Sequence, residues 1–189
     1  VRKTTTRIIN ELWNNGNPNK AILAGLRSSQ TINSRQAVAV WPLMFEAMKC
    51  EKMDPKAWSR NGRPTKEELS IFSALRCFAV YQQGRNSLLA VSARKDGRGE
   101  QLMIALSWLR QDERVRNSLD RRVQIMLITN NIDAVINSLA HLTPILKSHG
   151  GNQPIDFADL AQDLYNYQGH FGTINGARRV ALKWGQQYF

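Results

Sequence analysis

Residues 64–85 place the strongest constraint on how this chain folds. In a helical projection their apolar side chains point in almost every direction, and only Ser73 and Arg76 leave a narrow polar strip. A helix that is apolar on nearly all sides is normally surrounded by other helices. Thr65 and Glu68 have the spacing of a capping box, which predicts that the helix begins there. The stretch therefore predicts a central, enclosed helix that leads the chain into a basic loop.

The remaining sequence also carries apolar residues at helical spacing, and no segment alternates convincingly with the period of a strand. The first helix is predicted to direct Leu12 and Trp13 inward. The run AVAVW at 37–41 is rich in β-branched residues, but it has no partner strand, so we predict a helix there. The fold class is predicted to be all-α. About eight or nine helices would pack as two adjoining bundles, residues 1–111 and 112–189, or as one compact unit.

The charge of the chain indicates a polyanionic partner. Twenty-six Lys and Arg against fifteen Asp and Glu give a net charge of +11. Such a surplus points to nucleic acid first and to an anionic membrane surface second. Positive charge is also concentrated, because residues 178–189 contain cations and no carboxylate, whereas residues 151–177 are net acidic. This separation predicts a basic face.

The sequence has the character of a soluble cytoplasmic protein. Cys50 and Cys77 show no pairing pattern, which fits a reducing compartment better than a disulfide framework. No apolar run reaches the length of a membrane span, and the first residues lack the apolar centre of a signal peptide. We therefore expect a cytoplasmic location and no membrane partner.

A search for catalytic motifs finds no zinc-binding spacing, phosphate-binding loop or nucleophile elbow. Asp156, Asp159 and Asp163 lie on one side of a predicted helix, and three carboxylates there could hold Mg²⁺ as in a nuclease. The apolar residues on the opposite side favour a solvated polar face instead. We predict no enzyme activity, no catalytic residue, no metal and no cofactor, with a metal-dependent nuclease as the enzymatic alternative.

Basic side chains in three places are better candidates for a site. In the last predicted helix Arg179 and Lys183 are four residues apart, so both could contact successive phosphates. Arg121 and Arg122 lie on the flank of an earlier helix, and the glycine-containing loop 94–99 carries further cations. An ordinary solvated surface is the alternative for each. Four tryptophans could stack on bases, but the helical pattern favours core positions for Trp41, Trp58, Trp108 and Trp184.

These features alone predict a basic, helical, non-enzymatic module for nucleic-acid binding or assembly. A helix-turn-helix regulator is a weaker alternative, because the central helix is too apolar to read a DNA groove.

Several stretches together resemble the CasB family, the small helical subunit of the type I-E CRISPR surveillance complex, Cascade. They occur in the family's order across most of the chain. The stretches are ALRCFAVYQQGR (74–85), DRRVQIML (120–127), LAHLTPILKSHG (139–150), DFADLAQDLYNYQ (156–168) and ARRVALKWGQQYF (177–189), with a less specific match at WPLMFEAM (41–48).

The resemblance implies two helical bundles and no catalysis. It implies as partners the crRNA-bearing backbone and the large subunits of Cascade, a second copy of the chain, single-stranded non-target DNA, and also crRNA as a further contact. The basic surface would hold the displaced non-target strand and so stabilise the R-loop. A purely architectural subunit, whose basic surface contacts crRNA or neighbouring subunits, is the alternative.

The resemblance also implies which basic residues of this sequence bind nucleic acid, with the weakest matches in the basic loop. His141 falls where some relatives have a basic residue, which leaves that contact open. The positions that match by motif are Arg27, Arg85, Lys95, Arg121, Arg122, Arg178 and Arg179. Charge and spacing add Arg94, Arg98 and Lys183 as predicted nucleic-acid-binding residues.

Overall fold

The computed structural model describes residues 1–94, 97–149, 151–169 and 174–189. Within these ranges the α-helices are α1 (Arg2–Trp13), α2 (Lys20–Ser28), α3 (Trp41–Cys50), α4 (Lys66–Gln82), α5 (Leu102–Trp108), α6 (Glu113–Ile128), α7 (Ile132–His149), α8 (Phe157–Tyr167) and α9 (Ile174–Tyr188). Short 3₁₀ helices occupy Asn14–Gly16, Arg35–Val40, Pro55–Ala57 and Leu109–Gln111. The described residues contain no strand, so the all-α prediction is confirmed.

The central helix α4 begins at the predicted capping box. The Thr65 hydroxyl accepts a hydrogen bond from the Glu68 amide at 3.2 Å, and the Glu68 carboxylate accepts one from the Thr65 amide at 2.9 Å. These two bonds satisfy backbone donors that a helix N-terminus leaves unpaired. The buried Glu68 carboxylate also accepts from the Ser59 amide at 3.1 Å. The cap thus fixes the start of the helix and ties the preceding basic loop to it.

As predicted, α4 is enclosed by other helices. It packs against α1, α2, α7 and α8. Phe78 and Tyr81 of α4 both contact the ring of Phe157 in α8, with ring centroids 5.8 Å apart in each pair. Each such aromatic side chain contributes roughly 1.5–3 kcal/mol when it is fully buried. The helix therefore holds the protein together from its centre.

The hydrophobic core draws on residues from both of the predicted bundles. A single cluster of buried residues runs from Ile8 in α1 to Tyr188 in α9. Contacts between α4 and α8 and between α5 and α9 join elements on either side of Gln111. The division of the chain at that residue stays a prediction.

The apolar run at 37–41 is helical, as predicted. It forms the 3₁₀ helix Arg35–Val40 and enters α3 at Trp41. Ala37 and Val40 are buried, and the Trp41 indole Nε1–H donates to the Ile32 carbonyl at 3.0 Å. Among the described helices, none combines the length and the apolar character needed to cross a membrane.

Three backbone segments meet where the chain leaves α4 and enters α5. The Ile155 amide donates to the Leu89 carbonyl at 2.9 Å, and the Val91 amide donates to the Ile155 carbonyl at 3.1 Å. On the other side, the Asp156 amide donates to the Glu100 carbonyl at 2.8 Å. Segment 154–156 therefore lies between the two ends of the loop that carries Arg94 and Arg98, and it fixes the base of that loop.

Gly99 permits the close approach of backbone segments at this junction. A Cβ at this position would lie 2.0 Å from the Val91 carbonyl oxygen. Because the obstructing atom is backbone, Gly99→Ala is expected to lower the free energy of unfolding by about 2–3 kcal/mol. Thermal unfolding followed by circular dichroism measures this loss. Gly185→Ala is the control, since its Cβ would make only an ordinary contact, 3.7 Å from Leu127, in a helix. Equal melting temperatures for the Gly99 variant and the wild type would contradict the prediction.

Candidate nucleic-acid interface

Helix α6 directs two of the predicted cations outward. Leu119, Val123 and Met126 form its buried stripe. Arg121 and Arg122 lie off this stripe and are exposed. The spacing of the apolar residues therefore decides which way the arginines face.

Helix α9 packs against α6 and presents a second pair of arginines. Ala177, Val180 and Trp184 are buried, whereas Arg178 and Arg179 are exposed. The predicted apolar face of this helix is confirmed. Two neighbouring helices thus carry four exposed guanidinium groups.

Among the described residues, three of these four groups have no local counter-charge. In the part of the chain that the structure describes, the side chains of Arg121, Arg122 and Arg178 form no ion pair and no hydrogen bond. Their charge is therefore available to an external anion. Arg179 has interactions within the chain.

A cluster of polar and aromatic side chains holds α6 and α9 together beside these arginines. Arg110 donates to both carboxylate oxygens of Asp120, at 2.8 and 3.3 Å, and the Tyr188 hydroxyl donates to Asp120 at 2.6 Å. The Arg110 guanidinium also lies over the rings of Tyr188 and Phe189, 5.2 and 5.1 Å from their centroids. Because Asp120 directly precedes Arg121, this cluster positions the exposed arginines.

Titration of the cluster follows from these bonds. Partial burial acts to raise the pKa of Asp120, but the hydrogen bonds from Arg110 and Tyr188 hold it below its ordinary value. Burial, followed by the bond to the Asp120 carboxylate, raises the pKa of Tyr188. The cluster is therefore stable as a carboxylate, a cation and a neutral phenol at neutral pH.

The interpretation of Asp156, which caps α8, and of the α8 residues Asp159 and Asp163 as a solvated face is wrong. Asp156, Asp159 and Asp163 are buried, with exposed fractions of 2%, 3% and 6%. Arg2 donates to Asp156 at 3.3 Å and to Asp159, and the Lys183 ammonium lies 3.2 Å from Asp159 and 2.7 Å from Asp163. Buried carboxylates need such partners, because an isolated charge in the interior is costly. The compensating positive charge comes from Arg2 in α1 and Lys183 in α9, at opposite ends of the sequence.

Two of these carboxylates also accept hydrogen bonds from uncharged N–H groups. Asp156 caps α8 through the Asp159 amide at 2.8 Å and accepts from the Ala93 amide at 2.9 Å. Asp163 accepts from the Trp184 indole Nε1–H at 2.8 Å. Among the described residues, no group of three His, Cys, Asp or Glu side chains is placed to hold a metal ion. The arrangement is a network of ion pairs within the protein.

Three of the predicted binding cations belong to the surroundings of this network. Arg94, Arg179 and Lys183 line a cleft of about 650 Å³ together with Asp159 and Asp163. Arg94 is exposed over 72% of its side chain and lies 3.9 Å from Asp159, whereas Lys183 is bonded to both carboxylates. The charge of Lys183 is therefore largely compensated inside the protein.

Arg27 and Arg85 lie together in another cleft, between α2 and the end of α4, with a volume of about 620 Å³. Arg85 donates to the carbonyls of Lys147 and Gly151 at 3.2 and 2.9 Å, which orients its guanidinium. Burial and then the charges of Arg85 and Arg27 lower the pKa of Lys147. Three cations thus share this region.

The basic loop after α4 contributes less to the described geometry. Arg98 is exposed and has interactions within the chain. Lys95 lies outside the described residues, so the expectation that it binds nucleic acid stays a prediction.

Sequence reasoning missed three residues that shape these surfaces. Lys147 lies within a stretch already quoted for the family resemblance, so its basic character was a usable signal. Arg2 and Arg110 carry no local signal, because their partners lie on other elements: Asp159 is 157 positions from Arg2. Only the fold brings them together.

Comparison with known proteins agrees with this architecture. The family model described as CRISPR-associated protein Cse2 matches residues 22–189. The crystal structure of CasB from Thermobifida fusca is similar, with a TM-score of 0.64 and 24% sequence identity over 98% of this chain and 94% of that chain. None of the curated proteins matches the sequence. A family model that spans most of the chain, together with a shared helical fold, shows that this chain belongs to the CRISPR-associated Cse2 family, as the resemblance to CasB predicted.

Proposed function

We propose that this chain is the non-catalytic small subunit of type I-E Cascade, where its basic surface binds the displaced non-target DNA strand and stabilises the R-loop. Membership of the Cse2 family implies a subunit of the CRISPR Cascade complex. The observation that carries the DNA-binding part is the set of exposed, uncompensated arginines on α6 and α9.

The physics of the R-loop supports this role. The heteroduplex of guide and target is about as stable as the DNA duplex that it replaces, so modest contacts to one strand can tip the balance. Arginines that contact phosphates bind a single strand with an affinity that depends little on its sequence and falls with rising salt. Since the guide RNA already supplies the sequence specificity, a subunit of this kind needs no base readout of its own.

Exposed apolar residues favour the architectural role as a second candidate. Ile125 and Ile128 of α6 and Leu182 of α9 are exposed over 56%, 79% and 64% of their surface. Large exposed apolar side chains are common at protein interfaces. They lie on the same two helices as the arginines, so this surface could contact neighbouring subunits as well as nucleic acid.

A salt titration of the wild-type protein tests the DNA-binding proposal. We expect fluorescence anisotropy to detect binding to single-stranded DNA of unrelated sequences, both for the isolated chain and within a reconstituted complex. The logarithm of the affinity should fall linearly with the logarithm of salt, with a slope near −0.7 for each phosphate contacted. Binding to crRNA or protein subunits alone, with no single-strand binding in either setting, would favour the architectural role.

A further inference from the structure

The cleft at the end of α4 has walls of unusual composition. Its lining includes Trp13 from α1, Lys20 and Arg27 from α2, and Arg85 and Asn86 from the segment after α4. Among the residues that the structure describes, those that line it include no carboxylate. Its volume of about 620 Å³ lies in the range of sites that enclose small molecules. We name this site the α4-end cleft.

The cations of the α4-end cleft are spaced along one ridge of α2. Lys20 and Arg27 are seven residues apart, so they lie on the same side of the helix, two turns or about 10 Å from each other. Within the described chain neither side chain forms an ion pair. Two cations separated in this way can contact phosphates on either side of one nucleotide.

Arg85 also lines the cleft, and Lys147 lies beside it, bonded to the lining residue Gln83. The Arg85 guanidinium is held by neutral acceptors, including the carbonyls of Lys147 and Gly151 and the side chain of Asn152, so its charge is oriented without being cancelled. The Lys147 ammonium donates to the Gln83 side chain at 3.1 Å. Like charges gathered without a counter-charge repel one another, and a bound anion would relieve that repulsion.

Trp13 differs from the tryptophans that pack inside the protein. Trp184 is buried, and Trp58 packs with Phe45 at a centroid distance of 5.8 Å. Trp13, half-buried like Trp58, differs in its place: it is the last residue of α1 and lines the cleft. Residues 14–16, which follow it directly, all have positive φ values, so the chain turns sharply between Trp13 and α2.

We propose that the α4-end cleft holds one nucleotide of a bound single strand, with the base stacked on Trp13 and the flanking phosphates on Lys20, Arg27, Arg85 and Lys147. This inference rests on the proposed function and adds a base-stacking subsite to it. Stacking on an aromatic ring is tolerant of sequence, because every base has a π face. The Asn86 amide offers both a donor and an acceptor to whichever base edge is presented.

The test of stacking compares two single-stranded probes of equal length, oligothymidylate and an abasic strand with the same phosphates. The wild-type full-length chain is expected to bind oligothymidylate more tightly. Trp13→Leu should reduce this preference by roughly 5- to 150-fold and leave the salt slope unchanged, because stacking on a base is worth about 1–3 kcal/mol. Trp13→Phe keeps a ring in place and should retain most of the preference. Circular dichroism establishes that both variants are folded.

The test of the phosphate contacts uses a double variant. Lys20→Ala/Lys147→Ala is expected to make the salt slope less negative by about 1.4, since each single-strand contact contributes about 0.7. Lys3→Ala/Arg7→Ala is the matched control: it removes the same charge beside a separate cleft that contains Glu11, and it should change the slope less.

The outcomes separate this inference from the proposed function. If the wild type binds single strands but Trp13→Leu retains the full preference for oligothymidylate, the stacking site is wrong and the proposed function stands. If both double variants change the slope equally, the cleft has no special role in holding phosphates. If the wild type binds no single strand alone or in the complex, both proposals fall.

Discussion

Replacement of Arg121, Arg122 and Arg178 by alanine is expected to weaken binding to single-stranded DNA roughly 100-fold at about 0.1 M salt. All three side chains are exposed and uncompensated, so each can displace a counterion from a phosphate. Loss of three contacts should make the salt slope less negative by about 2, which amounts to two decades between about 1 M and 0.1 M salt. Anisotropy titrations at several salt concentrations measure both quantities.

Two controls identify the cause of this loss. Substitution of the same three arginines by lysine preserves their charge and should preserve most of the salt slope. Lys3→Ala/Arg7→Ala/Arg114→Ala removes the same net charge elsewhere. There Arg7 is paired with Glu11 and Arg114 with Asp112, so little affinity should be lost. Equal losses in the two alanine variants would mean that net charge, and not this surface, governs binding.

The contrast between the basic regions explains why charge counts alone did not define the site. Lys183 is four residues from Arg179 and was predicted to face outward with it, but its ammonium is bonded to Asp159 and Asp163. Arg178 has no such partner in the described chain. Basic residues that look alike in the sequence can therefore differ in how much uncompensated charge they present to DNA.

The parts of the structure that were predictable depend on local interactions. The start of α4 was predictable because Thr65 and Glu68 are three residues apart and complete a capping box within one turn. The outward direction of Arg121 and Arg122 followed from the apolar spacing of the same helix. Such features need no knowledge of the tertiary fold.

The parts that were not predictable depend on partners distant in sequence. The α8 aspartates show the pattern of a polar face, and their burial follows only when α1 delivers Arg2 and α9 delivers Lys183. Trp13 shows the spacing of an inward residue, yet it ends its helix at a cleft that α2 and α4 complete. Apolar periodicity gives the face of a helix and does not identify the charged residue that a neighbouring helix brings to it.

Asp163→Ala is expected to lower the free energy of unfolding by about 3–5 kcal/mol, because it breaks a buried charge network by removing one partner. The Asp163 carboxylate is only 9% exposed and accepts from the Lys183 ammonium at 2.7 Å and from the Trp184 indole at 2.8 Å. Without it, the buried Trp184 donor loses its acceptor and Lys183 loses its nearest counter-charge. For a chain of this size the melting temperature should fall by roughly 6–20 °C, as measured by calorimetry.

Asp163→Asn separates the two contributions, since the amide oxygen can still accept from Trp184 while the charge is lost. Its expected loss is about 1–2 kcal/mol, smaller than that of the alanine variant. Lys183→Met then distinguishes a structural lysine from a DNA contact. If Lys183 acts mainly within the network, this variant loses thermal stability, whereas its salt slope for single-stranded DNA stays close to that of the wild type. A wild-type melting temperature combined with a slope less negative by about 0.7 would instead make Lys183 a phosphate contact, and the network would then not need it.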